Sequence, residues 1–466
     1  KGLRVAVVGS GPSGFYTTKY LLRSKASEVA QVAVLDRIPA PFGLVRYGVA
    51  PDHPEVKNVT EDFETVAADP RFRYLGNLTL TDTALDTPHA SLAALRRHFD
   101  AVVLAYGADD DRQLSIPGAA GCENLLTARA FVNWYNGHPD FFELTPVVKN
   151  ALRAHPDVAI LGQGNVALDC ARILAKSAMQ GGPTDAEALA ATDICSHAMD
   201  TLTDLCKEGR PLKTINVIGR RGAAQVAFTI KELRELTKLS TATLAVHGGD
   251  FQLADTEASR KEVEAARPRK RLHGLVADHV KDADALEELA DKPQIRLRFL
   301  LLPESMTQND DGSVTLECRR ARLEGDAGSQ RAIPDPDADP VTFRCGLVLS
   351  AIGWKSVPAD ASIPFDAQRA VVPSSRSRVT LPPGDNNSGA PLYVAGWLRR
   401  GPSGIIGTNI SDGRDAAEAV IADAGGPGVH TGERAGVEGL LHELRESGVQ
   451  DKDLVDWRGP RALHED

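Results

Sequence analysis

Short runs of small and β-branched apolar residues recur along this chain, and several end in glycine. The first, "RVAVVGSGPSGFYTTKYLL", is apolar at every position from Val5 to Val8, the pattern of a strand buried on both faces. A glycine turn and a helical pattern over about 13 to 25 follow, and "QVAVLDR" makes a second strand. A Pro/Gly-rich loop, "PAPFGLVRYGVAPDHPEV", and another apolar strand, "DAVVLAYGA", close this unit. The signal then restarts: "PDVAILGQGNVALDCARILA" is strand, glycine turn and helix again, and "KTINVIGRR" is a further strand.

Later, "GLVLSAIGW" and "PLYVAGW" read as buried strands, and "RRGPSGIIGTNISDGRDAAEAVIADA" runs from a glycine loop into a helix. The expected fold class is α/β, with two Rossmann-like, three-layer nucleotide-binding domains. One is built from both chain ends, residues 1–115 and 344–466, and the other, 116–343, is inserted between them. Residues 177–213 read as a long helical or loop insertion, and the tail beyond 425 as Gly-rich and then helical.

The 466 residues suffice for two or three cores, and hydrophobic and charged contents of 42% and 25% are ordinary for a globular protein. No apolar run approaches the roughly 18 to 20 residues of a membrane helix, which leaves peripheral association open. No targeting segment is visible, although a processed chain would look the same. Six scattered cysteines without a Cys-x-x-Cys pair are expected to be reduced, mostly buried thiols, and no metal site is expected. A net charge of −10 argues against a nucleic-acid surface. Against it stands "RKEVEAARPRKR", Arg260 to Arg271, with six basic and two acidic residues: a solvated helix face, or a dock for an acidic partner.

Gly9-x-Gly11-x-x-Gly14 meets the demands of a dinucleotide pyrophosphate: a tight turn, a close backbone approach, and a helix packed so that its N-terminus faces the anion. Asp36 ends the next strand, where a carboxylate suits the free ribose hydroxyls of FAD or NAD and repels a 2′-phosphate. The second cradle is Gly162-Gln163-Gly164-Asn165-Val166-Ala167, with Ala in place of the third glycine. No carboxylate ends its following strand; Arg220 and Arg221 do, planar donors suited to the 2′-phosphate of NADPH. Two cradles with opposite ribose chemistry imply a flavoprotein that takes hydride from NADPH.

Seven stretches, "VVGSGPSGFYT", "PFGLVRYGVAPDHPEVKNV", "ARAFVNWYNG", "ILGQGNVALDCARIL", "VIGRRGAAQVAFTIKELREL", "EAARPRKRL" and "GWLRRGPSGIIGTN", together resemble the adrenodoxin reductase family of mitochondrial-type NADPH:ferredoxin oxidoreductases. The resemblance spans nearly the whole chain in family order. It implies noncovalent FAD in the split domain, NADPH in the inserted one, and single-electron transfer to an acidic 2Fe–2S ferredoxin. It further implies FAD contacts at Ser13, Asp36, Leu44, Leu80, Trp397, Gly404, Ile405 and Ile406. The implied NADP contacts are Gln163, Gly164, Asn165, Val166, Arg220, Arg221, Glu232 and Gly404, and the implied ferredoxin contacts Arg234, Arg267 and Arg271. Members usually carry Glu where this chain has Asp36 and Ala where it has Ser13, and both changes keep the needed chemistry.

His53 and Asp169 are the titratable residues expected near the hydride junction, where a water-linked imidazole and carboxylate would move the proton of flavin N5. The alternative is that His53 caps a Pro-rich turn and Asp169 makes a helix hydrogen bond. Trp397 and the "GPSGIIGTN" loop would aim a helix N-terminus at flavin N1 or C2=O; Trp397 could equally be core. Other functions remain open: a flavin reductase or monooxygenase with another acceptor, or a non-catalytic subunit of a larger assembly. A disulfide reductase would need paired cysteines. The animal-type stretches favour the mitochondrial matrix, with a bacterial cytoplasm as the alternative.

Overall fold

A computed structural model describes residues 2–25, 27–179, 183–381, 389–424 and 434–457. It divides into two compact units, one of Lys1–Val49, Glu55–Arg112 and Gly353–Asp466, the other of Ala50–Pro54 and Gln113–Ile352. Most of the tail expected to be Gly-rich lies outside the described residues.

In the first unit a seven-stranded sheet runs in the order Ser374–Ser375, Arg378–Val379, Leu392–Val394, Ala101–Leu104, Leu3–Val8, Val29–Leu35, Phe72–Leu75. The last five strands are parallel, and the first two add an antiparallel edge. Alternation along Leu3–Val8 explains why the run is apolar throughout. Leu3, Val5 and Val7 meet one layer, with Phe15, Phe63 and Ala416; Ala6 and Val8 meet the other, with Leu95, Phe99 and Leu440. The helices Pro12–Leu22 and Thr408–Ala422 share the first layer, and they approach so closely that a Cβ on Gly413 would lie 2.6 Å from the backbone nitrogen of Thr17.

The second unit has its own seven-stranded sheet, parallel throughout: Val280–Lys281, Thr243–His247, Gln294–Arg298, Thr214–Ile218, Asp157–Leu161, Leu347–Ser350, Leu125–Thr127. Its core gathers Ile160, Leu168, Ile173, Ile215 and Leu297. A separate antiparallel sheet spans residues 301–345. The stretch 177–213 contributes two helices, Pro183–Ala190 and Ser196–Lys207, and the second sends Ala198, Leu202 and Leu205 into the core.

The unit boundaries differ from those expected. The strand Leu347–Ser350 pairs with Asp157–Leu161 and Leu125–Thr127, so the chain leaves the second unit after 352 instead of before 344. A run buried on both faces says nothing in its letters about which sheet holds it. Residues 50–54 also belong to the second unit, where Asp52 bonds Arg172 at 2.7 and 2.9 Å. No helix among the described residues is long and apolar enough to cross a membrane. None of the six cysteines is in a disulfide, and burial pushes the Cys318 and Cys345 thiols up to about 12.

Candidate functional site

Each glycine of the first cradle has a different reason to be there. Gly9 has φ +106°, and a Cβ on it would lie 2.6 Å from the Cα of Tyr106 in the strand-end backbone. A Cβ on Gly14 would lie 1.9 Å from the carbonyl oxygen of Gly9, so the helix rests on its own turn. Gly11 is unlike both: the nearest atom to its Cβ position is 4.0 Å away, and it begins the helix without a side-chain cap. The protein itself does not require glycine there. The space over the uncapped N–H groups does fit a pyrophosphate.

Asp36 stands beside this turn. Its Oδ2 accepts from the backbone N–H and hydroxyl of Ser10 at 2.7 and 2.5 Å, and its Oδ1 from Ile38 N at 3.0 Å. Burial pushes its pKa up, and these hydrogen bonds oppose the rise. Three of the roughly four acceptor positions of a carboxylate are thus taken, leaving one for a ribose hydroxyl. Ser13 is buried and donates to Asn409 Oδ1 at 2.8 Å, Leu44 opens the short helix Leu44–Tyr47, and Leu80 is buried. Trp397 Nε1 donates to Ser403 O at 3.0 Å, and its ring meets that of Trp354 edge-on at 5.1 Å. Gly404 has φ +85°, Ile405 is 74% exposed, and Ile406 packs on the core.

The second cradle repeats the first two glycines. Gly162 has φ +132° and would press a Cβ to 2.3 Å from Ala351 O, whereas the Cβ position of Gly164 is open within 4 Å. Gly164 also begins its helix, Asn165–Ala178, without a side-chain cap. At the third position Ala167 is fully buried. Gln163 donates to Arg298 O at 2.8 Å, Asn165 Oδ1 accepts from Thr229 N at 2.8 Å, and Val166 packs on the core. Beyond the strand Thr214–Ile218, Arg220 and Arg221 are exposed, and neither makes an ion pair among the described residues. Partial loss of water around Arg221, and then the charges of Arg220 and Arg269, push its pKa down. A 2′-phosphate fits such a cluster and would relieve it.

His53 and Asp169 join one buried cluster without bonding each other. His53 Nε2 meets Glu235 Oε2 at 2.5 Å and stands 4.0 Å from Glu232. Arg172, 1% exposed, reaches Glu232 at 3.3 Å, Glu235 at 3.2 Å and Asp169 at 2.8 Å, besides Asp52. Lys176 adds a second cation to Asp52 at 2.8 Å. Burial opposes charge on Asp52, yet Arg172 and Lys176 hold its carboxyl well below the usual range. Burial raises the pKa of Asp169 and of Glu232, and each is held beside other carboxylates of the cluster. His53, Glu232 and Glu235 could by spacing hold a metal ion, but the guanidinium of Arg172 already places a cation against both glutamates.

No protein-family model matches the chain. Curated relatives do. The mitochondrial NADPH:adrenodoxin oxidoreductase of Homo sapiens is 40% identical over 461 residues, covering 97% of this chain and 85% of its own. That of Arabidopsis thaliana is 38% identical over 460 residues, 98% of this chain and 89% of its own. The chain belongs to the NADPH:adrenodoxin oxidoreductase family. A bacterial relative, the NADPH-ferredoxin reductase FprA of Mycobacterium tuberculosis, is 35% identical over 426 residues, 90% of this chain and 84% of its own. The solved structure of FprA in complex with NADPH is similar with a TM-score of 0.80 at 29% identity, covering 99% of this chain and 93% of that one.

For a member of this family, the resemblance implied three arginines without saying how they lie together. Arg267 and Arg271 sit one turn apart on the helix Arg267–Ala277, which touches the helix Ile230–Leu236 that carries Arg234. All three are exposed, and none makes an ion pair among the described residues. Sequence reasoning missed Arg172, Asp52, Glu235 and Lys176. A signal existed for the first: Arg172 falls three residues after Asp169 in a helix whose neighbouring positions are Ala171, Ile173 and Leu174, a charge where only apolar residues belong.

Proposed function

We propose that this chain binds FAD on the first cradle and NADPH on the second, takes hydride from NADPH, and passes single electrons to a 2Fe–2S ferredoxin. The observation that carries the reading is the opposition at the two proposed ribose ends: the Asp36 carboxylate with one acceptor position left, and the exposed Arg220–Arg221 pair with no carboxylate partner among the described residues. The names of the relatives support it. FAD, when bound, supplies the conversion of a two-electron donor into single-electron steps.

The residues of this chain bind, orient and handle protons. Gly11 and Gly164 leave room for a pyrophosphate over an uncapped helix N-terminus, and Ser13, Leu44, Leu80, Trp397 and Gly404 to Ile406 are proposed as the further FAD contacts. His53 and Asp169 are proposed to serve the proton of the hydride junction; His53 Nε2 lies 2.5 Å from Glu235 Oε2, and Glu232 is a neighbouring carboxyl. Arg234, Arg267 and Arg271 are proposed to meet carboxylates of an acidic ferredoxin, an attraction that speeds encounter and fades with salt. The mitochondrial relatives favour the matrix as location, and the bacterial relative keeps a cytoplasm as the alternative.

The test is an absorbance spectrum of the purified protein followed by cytochrome c reduction with NADPH or NADH, with and without a 2Fe–2S ferredoxin. A yellow protein that prefers NADPH and needs the ferredoxin is expected; no chromophore, or a preference for NADH, overturns the reading. Arg267→Glu with Arg271→Glu tests the dock, and ferredoxin reduction should fall strongly while ferricyanide reduction persists.

A further inference from the structure

The first unit holds a pocket of about 350 Å³ that includes none of the residues assigned to either nucleotide. Four arginines line it: Arg369 and Arg376 from the strand-edge segment, and Arg399 and Arg400 from the helix Trp397–Arg400. The carboxylates near them are fewer. Asp412 pairs with both Arg399 and Arg400, and Asp415 stands 3.5 Å from Arg399. Asp366 spends an oxygen on the backbone N–H groups of Gln368 and Arg369, and the Arg369 and Arg376 side chains make no ion pair among the described residues. Four cations thus face two paired anions. In addition, Nη2 of Arg400 is buried without a hydrogen-bond partner, a state that buried donors ordinarily avoid. Burial, and then the neighbouring charge of Arg399, push the Arg400 pKa down.

We propose that this pocket binds a phosphate group carried by a small molecule. A phosphate dianion matches the two surplus charges, and its several oxygens suit converging guanidinium forks better than a single carboxylate does. The volume is that of a small-ligand site, and the buried Val371 and Val372 give it an apolar wall for the remainder of such a molecule. Ser377, whose hydroxyl accepts from Arg399 at 3.1 Å, adds a donor of its own.

The experiment is calorimetric titration of the holoenzyme, saturated with NADP⁺ so that the second cradle is filled, with inorganic phosphate and pyrophosphate. The variant Arg369→Ala with Arg376→Ala removes the two exposed, unpaired cations and leaves both cradles intact. Binding to the native protein that weakens at least tenfold in the variant, with flavin content and NADPH oxidation unchanged, is the expected result. Sedimentation with phosphatidylcholine vesicles containing phosphatidic acid distinguishes the source: binding there that the same variant abolishes assigns the phosphate to a lipid headgroup. No binding of either probe, or equal binding by variant and native protein, overturns the proposal. Loss of NADPH oxidation with the flavin retained would instead place the arginines in the redox machinery and overturn it equally.

Discussion

The two glycine cradles agree where a pyrophosphate is concerned and disagree elsewhere. Gly9 and Gly162 both adopt positive φ against the backbone of a neighbouring strand end, and Gly11 and Gly164 both leave their Cβ positions open before an uncapped helix. At the third position Gly14 has no room for a methyl group, whereas Ala167 buries one. At the proposed ribose end the first cradle offers a hydrogen-bonded carboxylate and the second two guanidinium groups that make no ion pair among the described residues. In the proposed reading the shared half serves the anion common to every dinucleotide. Selectivity would then belong to residues some 20 to 60 positions away in the chain, and variants that exchange features between the cradles separate the two roles.

The largest effect is expected at the third glycine. Gly14→Ala would bring a methyl carbon within 1.9 Å of a backbone oxygen, and no side chain can move aside to relieve that. The helix must shift from the turn, at a cost of roughly 3 kcal/mol or more. The urea midpoint should fall and the 450 nm absorbance of bound flavin should be lost; retention of both would mean that this turn is softer than its contacts say. Next comes the ribose end. In the proposed reading Arg220→Ala with Arg221→Ala removes charge-assisted hydrogen bonds worth about 1.5 to 3 kcal/mol each, so kcat/KM for NADPH should fall by more than about 100-fold while that for NADH hardly changes. An equal fall for both nucleotides would show that the pair supports the fold instead of reading the phosphate.

These contrasts were legible because they are local. Gly9, Gly11, Gly14 and Asp36 lie in one strand–turn–helix–strand unit, and the second cradle with Arg220 and Arg221 in another, so spacing along the chain stands in for distance in space. The end of the second unit was not legible. Leu347–Ser350 is apolar on both faces, and only its pairing with Asp157–Leu161 and Leu125–Thr127 assigns it. The Arg172 cluster was hidden for a related reason. It joins Asp52, Asp169, Glu232 and Glu235 across 183 residues of chain, and neither charge counting nor helical period brings those together. The arginine pocket likewise draws on two segments that only the edge of the sheet brings side by side.

A smaller effect contrasts the second unit's acids with Asp36. Burial raises the pKa of Asp169 and Glu232. Between the ordinary carboxylate pKa and those raised values, the folded chain holds protons that the unfolded chain has released. Stability contributed there is full at lower pH and is lost as pH rises through the folded pKa. Each proton contributes a slope of at most about 1.4 kcal/mol per pH unit. Glu232→Gln keeps an amide where the carboxyl stood and removes its titration, so urea midpoints measured from pH 5 to 8 should fall less steeply than in the native protein. A slope that is unchanged would place the bound proton elsewhere in the cluster. The Asp36→Asn variant provides the contrast: one of the two oxygens becomes an amide nitrogen, so either Ser10, which donates to Oδ2, or Ile38, which donates to Oδ1, loses its acceptor, and flavin affinity is the property expected to change first.

Ala167→Gly makes the second cradle resemble the first and should do least. The third residue of a helix loses backbone order when Ala becomes Gly, by about 0.5 to 1 kcal/mol, and a buried methyl group is withdrawn from the core. Thermal denaturation should therefore show a decrease of about 1 kcal/mol. Preference for NADPH over NADH should not move, because in the proposed reading the pyrophosphate would meet backbone at Gly164 and the 2′-phosphate would meet Arg220 and Arg221, and neither contact would include this methyl. The asymmetry with Gly14→Ala is the sharper point. Adding one carbon at the first cradle and removing one at the second are equal changes in composition, yet only the first drives an atom into a backbone oxygen. A change in nucleotide preference for Ala167→Gly would mean that the third position helps to aim the helix at its ligand, and the division between packing and selectivity would then fail at the second cradle.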